Sequence, residues 1–304
     1  MKIKNILQVL ALAATLTVGT ATAQETTAPA QMFEYPTVPD KLTKPAMRAN
    51  FMVEHLWDKC DLEKTDITNL PAFHDAFTDY LSFFALADKA VVEKSIKKYV
   101  ERVSKNQTNL NITVGLLYSE VINIYSQYCS DEVFGMFADN IVASKKVSKE
   151  LKAKIQTSAD MLKNSAEGAQ MADFPLRQSP AGAASLYGLT ADTTILFFNA
   201  DGVDSSIYKV RLSANIAAND LIKAGKLRIV SVYSGDTDVD AKLASEPSDW
   251  EVAYIANAQQ LYDQRIRPAV YVLDKDKKIT VKFVAVDNML QAVENVAHNL
   301  KQAE

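Results

Sequence analysis

The feature that most constrains the fold is a short apolar run that leads through a polar turn into a helical pattern, residues 193–206, TTILFFNADGVDSS. Residues 195–198 are aliphatic and aromatic and Asn, Asp and Gly follow, so the run predicts a buried strand that ends in a turn. A second apolar run, residues 269–273, comes directly after Pro268. Because proline can begin a strand but interrupts its hydrogen bonding, Pro268 predicts a loop at the entrance to that strand. The chain therefore contains a strand-turn-helix unit and a proline loop.

This layout resembles the thioredoxin-like family, in particular its envelope thiol-disulfide interchange and peroxiredoxin-related members, whose motif has the form FF-x-D-P-x-C-x-x-C. In an alignment without a gap, Phe197 and Phe198 match the motif, and Ala200 and Asp201 stand at its Asp-Pro positions. The two cysteine positions hold other residues. The resemblance thus implies a thioredoxin-like fold with a degenerate redox motif at Val203, Asp204, Ser205 and Ser206.

The resemblance also implies what the missing thiols would have done. In a working member, the first cysteine lies at a helix N-terminus, where unpaired N–H groups and the helix dipole lower its thiol pKa. Val203 cannot ionise, and the hydroxyl of Ser206 does not exchange with disulfides. No histidine is placed by sequence to activate Ser205 or Ser206 as a nucleophile. We therefore expect no catalytic residue at this turn.

Pro268 has a further implication from the family, in which the matching proline is cis and the backbone beside it pairs with an extended substrate segment. Such a groove could persist without thiols, because main-chain pairing does not require them. Arg267 stands where the family usually has a small or β-branched residue. Arg267 could be a solvated side chain, or it could hold an anion together with the helix N-terminus near Ser206.

The chain has two cysteines, Cys60 and Cys129, both outside the thioredoxin-like part. A disulfide between them would close a loop of about 70 residues and stabilise the fold by roughly 4 kcal/mol on the chain-entropy model. Two buried, inert thiols fit the sequence equally well, since free cysteine packs as a small apolar residue. Both interpretations stay open at this point.

The N-terminus has the order of a secretory signal peptide: Lys2 and Lys4, an apolar run over residues 6–18, and Ala21-Thr22-Ala23. We predict a signal peptide over residues 1–23 and an exported chain in the periplasm or cell envelope, or secreted beyond it. No later run is long and apolar enough for a membrane span, so the mature chain is predicted to lack an integral membrane segment.

The charge pattern argues against two classes of partner. The formal net charge is −4 with scattered Lys and Arg, so no nucleic-acid or anionic membrane surface is indicated. Asp236, Asp238 and Asp240 begin like a calcium loop, but Ala241 and Pro247 replace the Gly and Glu that this loop requires. We predict no metal site and no cofactor.

Between the signal peptide and the sheet pattern, the sequence reads as a linker followed by helices. Residues 24–45 are rich in proline and polar residues, and no packed element is expected there. Residues 46–166 show helical periodicity, for example Phe73, Phe77 and Tyr80 at three- and four-residue steps. We predict six helices over residues 46–60, 71–84, 90–104, 112–128, 131–143 and 148–162.

This helical block resembles a helical domain of unknown function that precedes thioredoxin-like domains in some envelope proteins. The resemblance is sharpest at the junction LKNSAEGAQMADFPL, in Asn164, Gly168, Ala169, Asp173 and Phe174. It implies an all-α domain over residues 46–166, followed by the thioredoxin-like domain over residues 167–304.

From the junction onward, the pattern predicts the order βαβαββα around a central mixed sheet. Strands are predicted at residues 194–199, 227–233, 269–273 and 279–284, and helices at 205–224, 248–261 and 287–301. In the first of these helices, Ile207 and Val210 belong to a face that is apolar along the helix. This order is that of a thioredoxin-like fold.

Three functions are compatible with these residues. The first is a redox-inactive envelope protein that binds an unidentified peptide or protein partner through residues 203–206 and Arg267 with Pro268. The second is a thiol-disulfide oxidoreductase that uses Cys60 and Cys129 as a redox pair. The third is a structural scaffold, which would be favoured if the Pro268 surface were buried against the helical domain.

Overall fold

The computed structural model describes residues 32–199, 206–283 and 286–303. It confirms the predicted fold class, a helical region followed by a mixed six-stranded sheet with flanking helices. The predicted signal peptide, residues 1–23, lies outside the described residues. Within the described ranges, no helix combines the length and the apolar character that a membrane span requires.

Residues 45–164, here called the helical region, form six α-helices. Side chains at four of their N-termini accept hydrogen bonds from first-turn N–H groups, which explains where these helices begin: Asn69, Asn106, Ser130 and Ser148. The helices are α1 (Pro45–His55), α2 (Leu70–Ser82), α3 (Lys89–Val103), α4 (Gln107–Leu116), α5 (Asp131–Ala143) and α6 (Lys149–Asn164).

The fourth predicted helix differs from the structure at both ends. The Asn106 cap starts α4 at Gln107, five residues before the predicted start, and a π-helical turn over Leu117–Val121 follows it. The chain then forms a loop to α5, in which the N–H of Ser130 donates to the carbonyl of Val121 at 2.9 Å. The predicted apolar face of α2 is confirmed, because Phe73, Phe77 and Tyr80 are fully buried.

The described part of the predicted linker, residues 32–45, packs against the helical region. Phe33 and Tyr35 contact the helical core, and Tyr35 donates a hydrogen bond to Asp79 at 2.9 Å. The ring of Phe33 also lies 5.5 Å from that of Trp57. Aromatic side chains give this segment a packed position that its proline-rich composition did not indicate.

The remaining elements form the sheet region. The strands run in the order β1-β4-β3-β2-β5-β6; β2, β3 and β4 are parallel, whereas β1, β5 and β6 pair antiparallel with their neighbours. The elements are β1 (Leu176–Gln178), β2 (Thr193–Phe198), α7 (Ser206–Ser213), α8 (Ile216–Lys223), β3 (Leu227–Tyr233), α9 (Val239–Leu243), β4 (Glu251–Tyr254), α10 (Ala258–Leu261), β5 (Ala269–Leu273), β6 (Ile279–Lys282) and α11 (Val286–Ala303).

Two predicted helices of the sheet region need correction. The helix predicted over residues 248–261 is wrong in its first half, where β4 pairs with β3 and buries Val252 and Ala253. The helix predicted over residues 205–224 is divided, because Asn215 caps α8 by accepting a hydrogen bond from the N–H of Ala218. The order βαβαββα is kept by β2, β3, β5, β6 and the helices between them, with β1 and β4 added.

Candidate functional site

The sheet register brings the two parts of the predicted site to the same end of the sheet. Phe198 at the end of β2 pairs with Ala269 at the start of β5, so the chain leaves β2 where Pro268 enters β5. The peptide bond between Arg267 and Pro268 is cis. Of the degenerate motif positions, Ser206 is the first residue of α7, whereas Val203, Asp204 and Ser205 lie outside the described residues.

The loop before Pro268 is divided into a buried half and an exposed half. Asp263 and Gln264 have exposed fractions of 0% and 6%. Ile266 is 37% exposed, Arg267 is exposed and Pro268 is partly exposed. The residues next to the proline therefore face solvent, whereas the residues four and five positions before it are packed inside the protein.

The helix that follows the motif also presents apolar side chains to solvent. Ile207 and Val210 are each 62% exposed, and their three-residue spacing places them on the same side of α7. Leu212 is buried in their place. The apolar face of this helix is therefore not packed against the sheet at Ile207 and Val210 and faces solvent there.

A buried charged cluster fixes the inner side of α7. The Lys209 ammonium forms an ion pair with Glu246 and lies 3.1 Å from the Tyr233 hydroxyl, which donates to the same carboxylate. The Lys209 side chain is 14% exposed and that of Glu246 only 1%. Burial lowers the pKa of Lys209, and the hydrogen bond and charge of Glu246 oppose that shift. The cluster ties α7 to the carboxyl end of β3.

Sequence reasoning missed this cluster because its members are far apart in the chain. Lys209 and Glu246 are separated by 37 residues, and Tyr233 precedes Glu246 by 13. A lysine in a helix and a glutamate in a loop carry no local signal of pairing.

The polar Asn199, read as a turn residue, donates through Nδ2 to Ser231 Oγ at 2.9 Å and to the carbonyl of Val232 at 3.0 Å.

Both cysteines are free thiols in the structure. Cys60 is buried, and burial raises its thiol pKa to about 11 although the nearby Arg102 opposes the shift. Cys129 is partly buried, and burial raises its pKa as well, against the charge of Arg265. Because the thiolate is the nucleophile in disulfide exchange, both sulfurs are poorly suited to that chemistry near neutral pH.

The predicted calcium-like loop has a structural role at one of its carboxylates. The Asp238 side chain accepts a hydrogen bond from the N–H of Ala241 at 3.2 Å and caps α9. In the described part of the chain, no group of three His, Cys, Asp or Glu side chains is arranged to hold a metal ion.

A family model described as a domain of unknown function, DUF5106, matches residues 12–165, a little over half of the 304-residue chain. The chain belongs to the DUF5106 family. The match spans the helical region of this DUF5106 chain and ends at the junction with the sheet region.

One solved structure shows the fold of the DUF5106 chain beyond that match. The chain is similar to a thioredoxin-like protein from Bacteroides caccae, with 23% identity, 87% of this chain and 99% of that chain covered, and a TM-score of 0.63. A putative thiol:disulfide interchange protein from Chlorobium tepidum aligns over 44% of this chain and 98% of its own, with 22% identity and a TM-score of 0.34. No curated protein matches the chain. The first of these similarities shows a thioredoxin-like fold for the chain.

Proposed function

We propose that this protein binds an extended peptide or a protein partner without thiol exchange, through a surface made by α7 and the proline loop. This loop–helix surface consists of Ser206, Ile207, Val210, Ile266, Arg267 and Pro268. The observation that carries the proposal is the solvent exposure of Ile207 and Val210 on α7 and of Ile266 in the proline loop. Lys209 of α7 lies over the ring of Phe197 on β2, and Pro268 enters β5 beside the end of β2, so both elements lie next to that end of the strand. Exposed apolar side chains clustered at one edge of a protein are typical of interaction sites.

The chemistry of this surface suits a ligand segment with apolar side chains. Ile207, Val210 and Ile266 offer apolar contacts, and the exposed Arg267 offers a positive charge beside them. The loop–helix surface has no thiol, because the two cysteines of the chain lie in the helical region. Arg267 is not covered by the helical region, which favours a binding surface over a scaffold whose proline loop is hidden.

The setting of this binding protein belongs to the same proposal. We infer export to the cell envelope from the signal peptide pattern of residues 1–23. The division of the chain into a linker over residues 24–45, a helical domain over 46–166 and a thioredoxin-like domain over 167–304 fits separate apolar cores in the two regions.

A binding experiment tests the proposal with a fluorescently labelled, carboxymethylated polypeptide that cannot fold. Titration with the chain starting at Gln24 is followed by fluorescence anisotropy, for the native sequence, Ile207→Ser and Ile266→Ser. Each substitution is expected to weaken binding about tenfold, as for an apolar residue near the centre of an interface. Val281→Ser is the matched control, because Val281 is also exposed, at 42%, but lies on β6. Equal losses in all three variants, or no binding by the native chain, would contradict the proposal.

The absence of thiol exchange has its own test, an insulin reduction assay on the same chain beside the double variant Cys60→Ser/Cys129→Ser. We expect no turnover by either protein, because both thiols have raised pKa values. Turnover that disappears in the double variant would assign the chain a redox activity located in the helical region.

A further inference from the structure

The proline loop is bound to the helical region at Arg265, two residues before Arg267. The Arg265 guanidinium donates from Nη1 to the carbonyl of Ile122 at 2.7 Å and from Nη2 to the carboxylate of Asp131 at 2.7 Å. Ile122 follows the π-helical turn, and Asp131 is the first residue of α5. One side chain of the sheet region thus reaches two elements of the helical region.

Asp263, in the buried half of the same loop, completes the attachment. Its carboxylate accepts from Arg265 Nε at 2.8 Å and Nη2 at 2.6 Å, and its backbone N–H donates to Ser165 Oγ at 2.7 Å. Ser165 is the C-cap of α6. Lys282 on β6 donates to Asp131 at 2.9 Å and to Asp263 at 3.2 Å. Asp131 of the helical region thus shares two cations of the sheet region, Arg265 and Lys282, with the carboxylate of Asp263.

The charges in this network depend on one another. The side chains of Arg265 and Lys282 are each 16% exposed, and that of Asp263 is fully buried. Burial alone would raise the pKa of Asp131, but the hydrogen bond from Lys282 and the charge of Arg265 outweigh it, and the net pKa is lowered. Removing one member of such a network leaves an uncompensated charge away from water, which is strongly unfavourable.

We infer that the helical region is part of the binding site: through Asp131, a positioning residue, α5 holds the proline loop in its ligand-binding conformation. The inference rests on the proposed function of the loop–helix surface. Asp131 and Ser165 fix the buried half of the loop, and Ile266 and Arg267 follow directly in the chain. A loop held in its binding conformation by packed, hydrogen-bonded neighbours loses less conformational entropy on binding.

The first part of the test compares Asp131→Asn with Asp139→Asn, an equal change of charge at an exposed carboxylate on the same helix. Affinity for the labelled, carboxymethylated polypeptide is measured beside the rate at which Cys129 reacts with a disulfide reagent, both in a Cys60→Ser background. Cys129 reports on the attachment because its Sγ lies 3.8 Å from Arg265 Nη1. We expect Asp131→Asn to weaken binding about fivefold and to speed the Cys129 reaction, as for a typical coupling between sites. Asp139→Asn should change neither, and Asp131→Glu should restore part of the affinity.

The outcomes separate this inference from the proposed function. If Ile266→Ser weakens binding but Asp131→Asn leaves it unchanged, the inference is overturned and the loop–helix surface remains. If neither variant changes binding, both are overturned. Should Asp131→Asn fail to fold, Ser165→Ala takes its place, because it removes the hydrogen bond to Asp263 and leaves every charge intact. Unchanged affinity in Ser165→Ala would then overturn the inference, and a loss of affinity in a folded variant would support it.

Discussion

The helical region and the sheet region bury different kinds of polar group. Among the described residues, the polar side chains buried in the helical region are neutral, such as Asn109 and Thr113. The sheet region buries neutral groups too, but it adds four charged side chains: Glu246, Glu251, Asp263 and Lys277. Burial of a charge costs far more free energy than burial of a neutral hydrogen-bonding group, so this difference marks a division of roles between the two regions.

The hydrogen bonds show what each kind of group does. In the helical region, Tyr99 and Thr113 form a buried hydrogen bond of 2.8 Å that fixes how α3 packs on α4. In the sheet region, Glu246 holds Lys209 of α7, and Asp263 holds Arg265 of the proline loop. The buried charges of Glu246 and Asp263 thus support the two elements of the loop–helix surface, whereas the neutral groups support packing alone.

The largest expected effect on stability comes from removing either of the two tryptophans of the chain, one of which lies in each region. Trp57 lies within 5.7 Å of the rings of Phe33, Phe73, Tyr80 and Tyr99, whereas among the described residues the one aromatic ring paired with Trp250 is that of Phe197, at 6.4 Å. Trp57→Ala should lower the free energy of unfolding by about 4 kcal/mol and Trp250→Ala by about 3 kcal/mol. Urea unfolding followed by far-UV circular dichroism measures both losses.

The conservative variants Trp57→Phe and Trp250→Phe serve as controls. Neither indole N–H has a hydrogen-bond partner among the described residues, so phenylalanine removes packing without breaking a hydrogen bond. Both phenylalanine variants should lower the free energy of unfolding by less than the alanine variants do. In each variant, the remaining tryptophan reports by its fluorescence on the other region. A larger loss for Trp250→Ala would reverse the expected ranking of the two cores.

A second comparison sets a buried charge against a buried neutral group. Glu246→Gln leaves the Lys209 ammonium without its ion pair and should cost about 3 kcal/mol near neutral pH. Asn109→Ala leaves the N–H of Ile67 and the carbonyls of Leu62 and Thr65 without their present partner and should cost about 2 kcal/mol. Urea unfolding of both variants measures these costs.

The pH dependence separates the two variants more sharply than the size of the loss. Burial lowers the pKa of Lys209, so the lysine of Glu246→Gln can lose its proton as the pH rises. Its stability loss should therefore shrink between about pH 7 and about pH 10, whereas that of Asn109→Ala should stay constant. A constant loss in Glu246→Gln would show that the ion pair contributes nothing specific to α7.

Local spacing was enough to predict most of the helical region. Phe73, Phe77 and Tyr80 follow one face of a helix, and that face is buried because the helix alone brings the three side chains together. Strand β4 could not be recognised in this way. Residues such as Val252 fit either state, and β4 is a strand because Val252 pairs with Ser231 on β3, a contact between distant parts of the chain.

For the candidate site, too, the local motif could be read from the sequence, whereas the long-range contacts could not. The motif positions and Pro268 follow from the sequence pattern, and the register of β2 with β5 places Pro268 beside the end of β2. Arg265 and Asp131 are separated by 134 residues, and no local pattern links them. The exposure of Ile207 also escaped prediction, because an apolar residue in a helix usually faces the core.

Acid should weaken the attachment between the regions by a smaller amount. The pKa of Asp131 is lowered in the folded protein, so its contribution to stability is complete above its unfolded value of about 3.9 and is lost as the pH falls through the folded value. Because its side chain is 37% exposed, this contribution is about 1 kcal/mol after solvent screening. Thermal unfolding of the native chain and Asp131→Asn, from about pH 6 to about pH 3, should show their difference shrinking. A difference that persists at the acid end would assign the loss in Asp131→Asn to packing.

The smallest expected effect lies in the helical region, at the ion pair of His74 with Glu120, 3.0 Å apart. The hydrogen bond from Glu120 raises the pKa of His74, so the contribution to stability is complete below the unfolded value of about 6.5 and is lost as the pH rises through the folded value. His74 is 43% exposed, which limits the effect to a few tenths of a kcal/mol. Urea unfolding midpoints of the native chain and His74→Gln should therefore differ slightly at about pH 5.5 and coincide at about pH 8. A large or opposite difference would mean that the helical region also carries a buried charge, and the contrast between the two regions would fail.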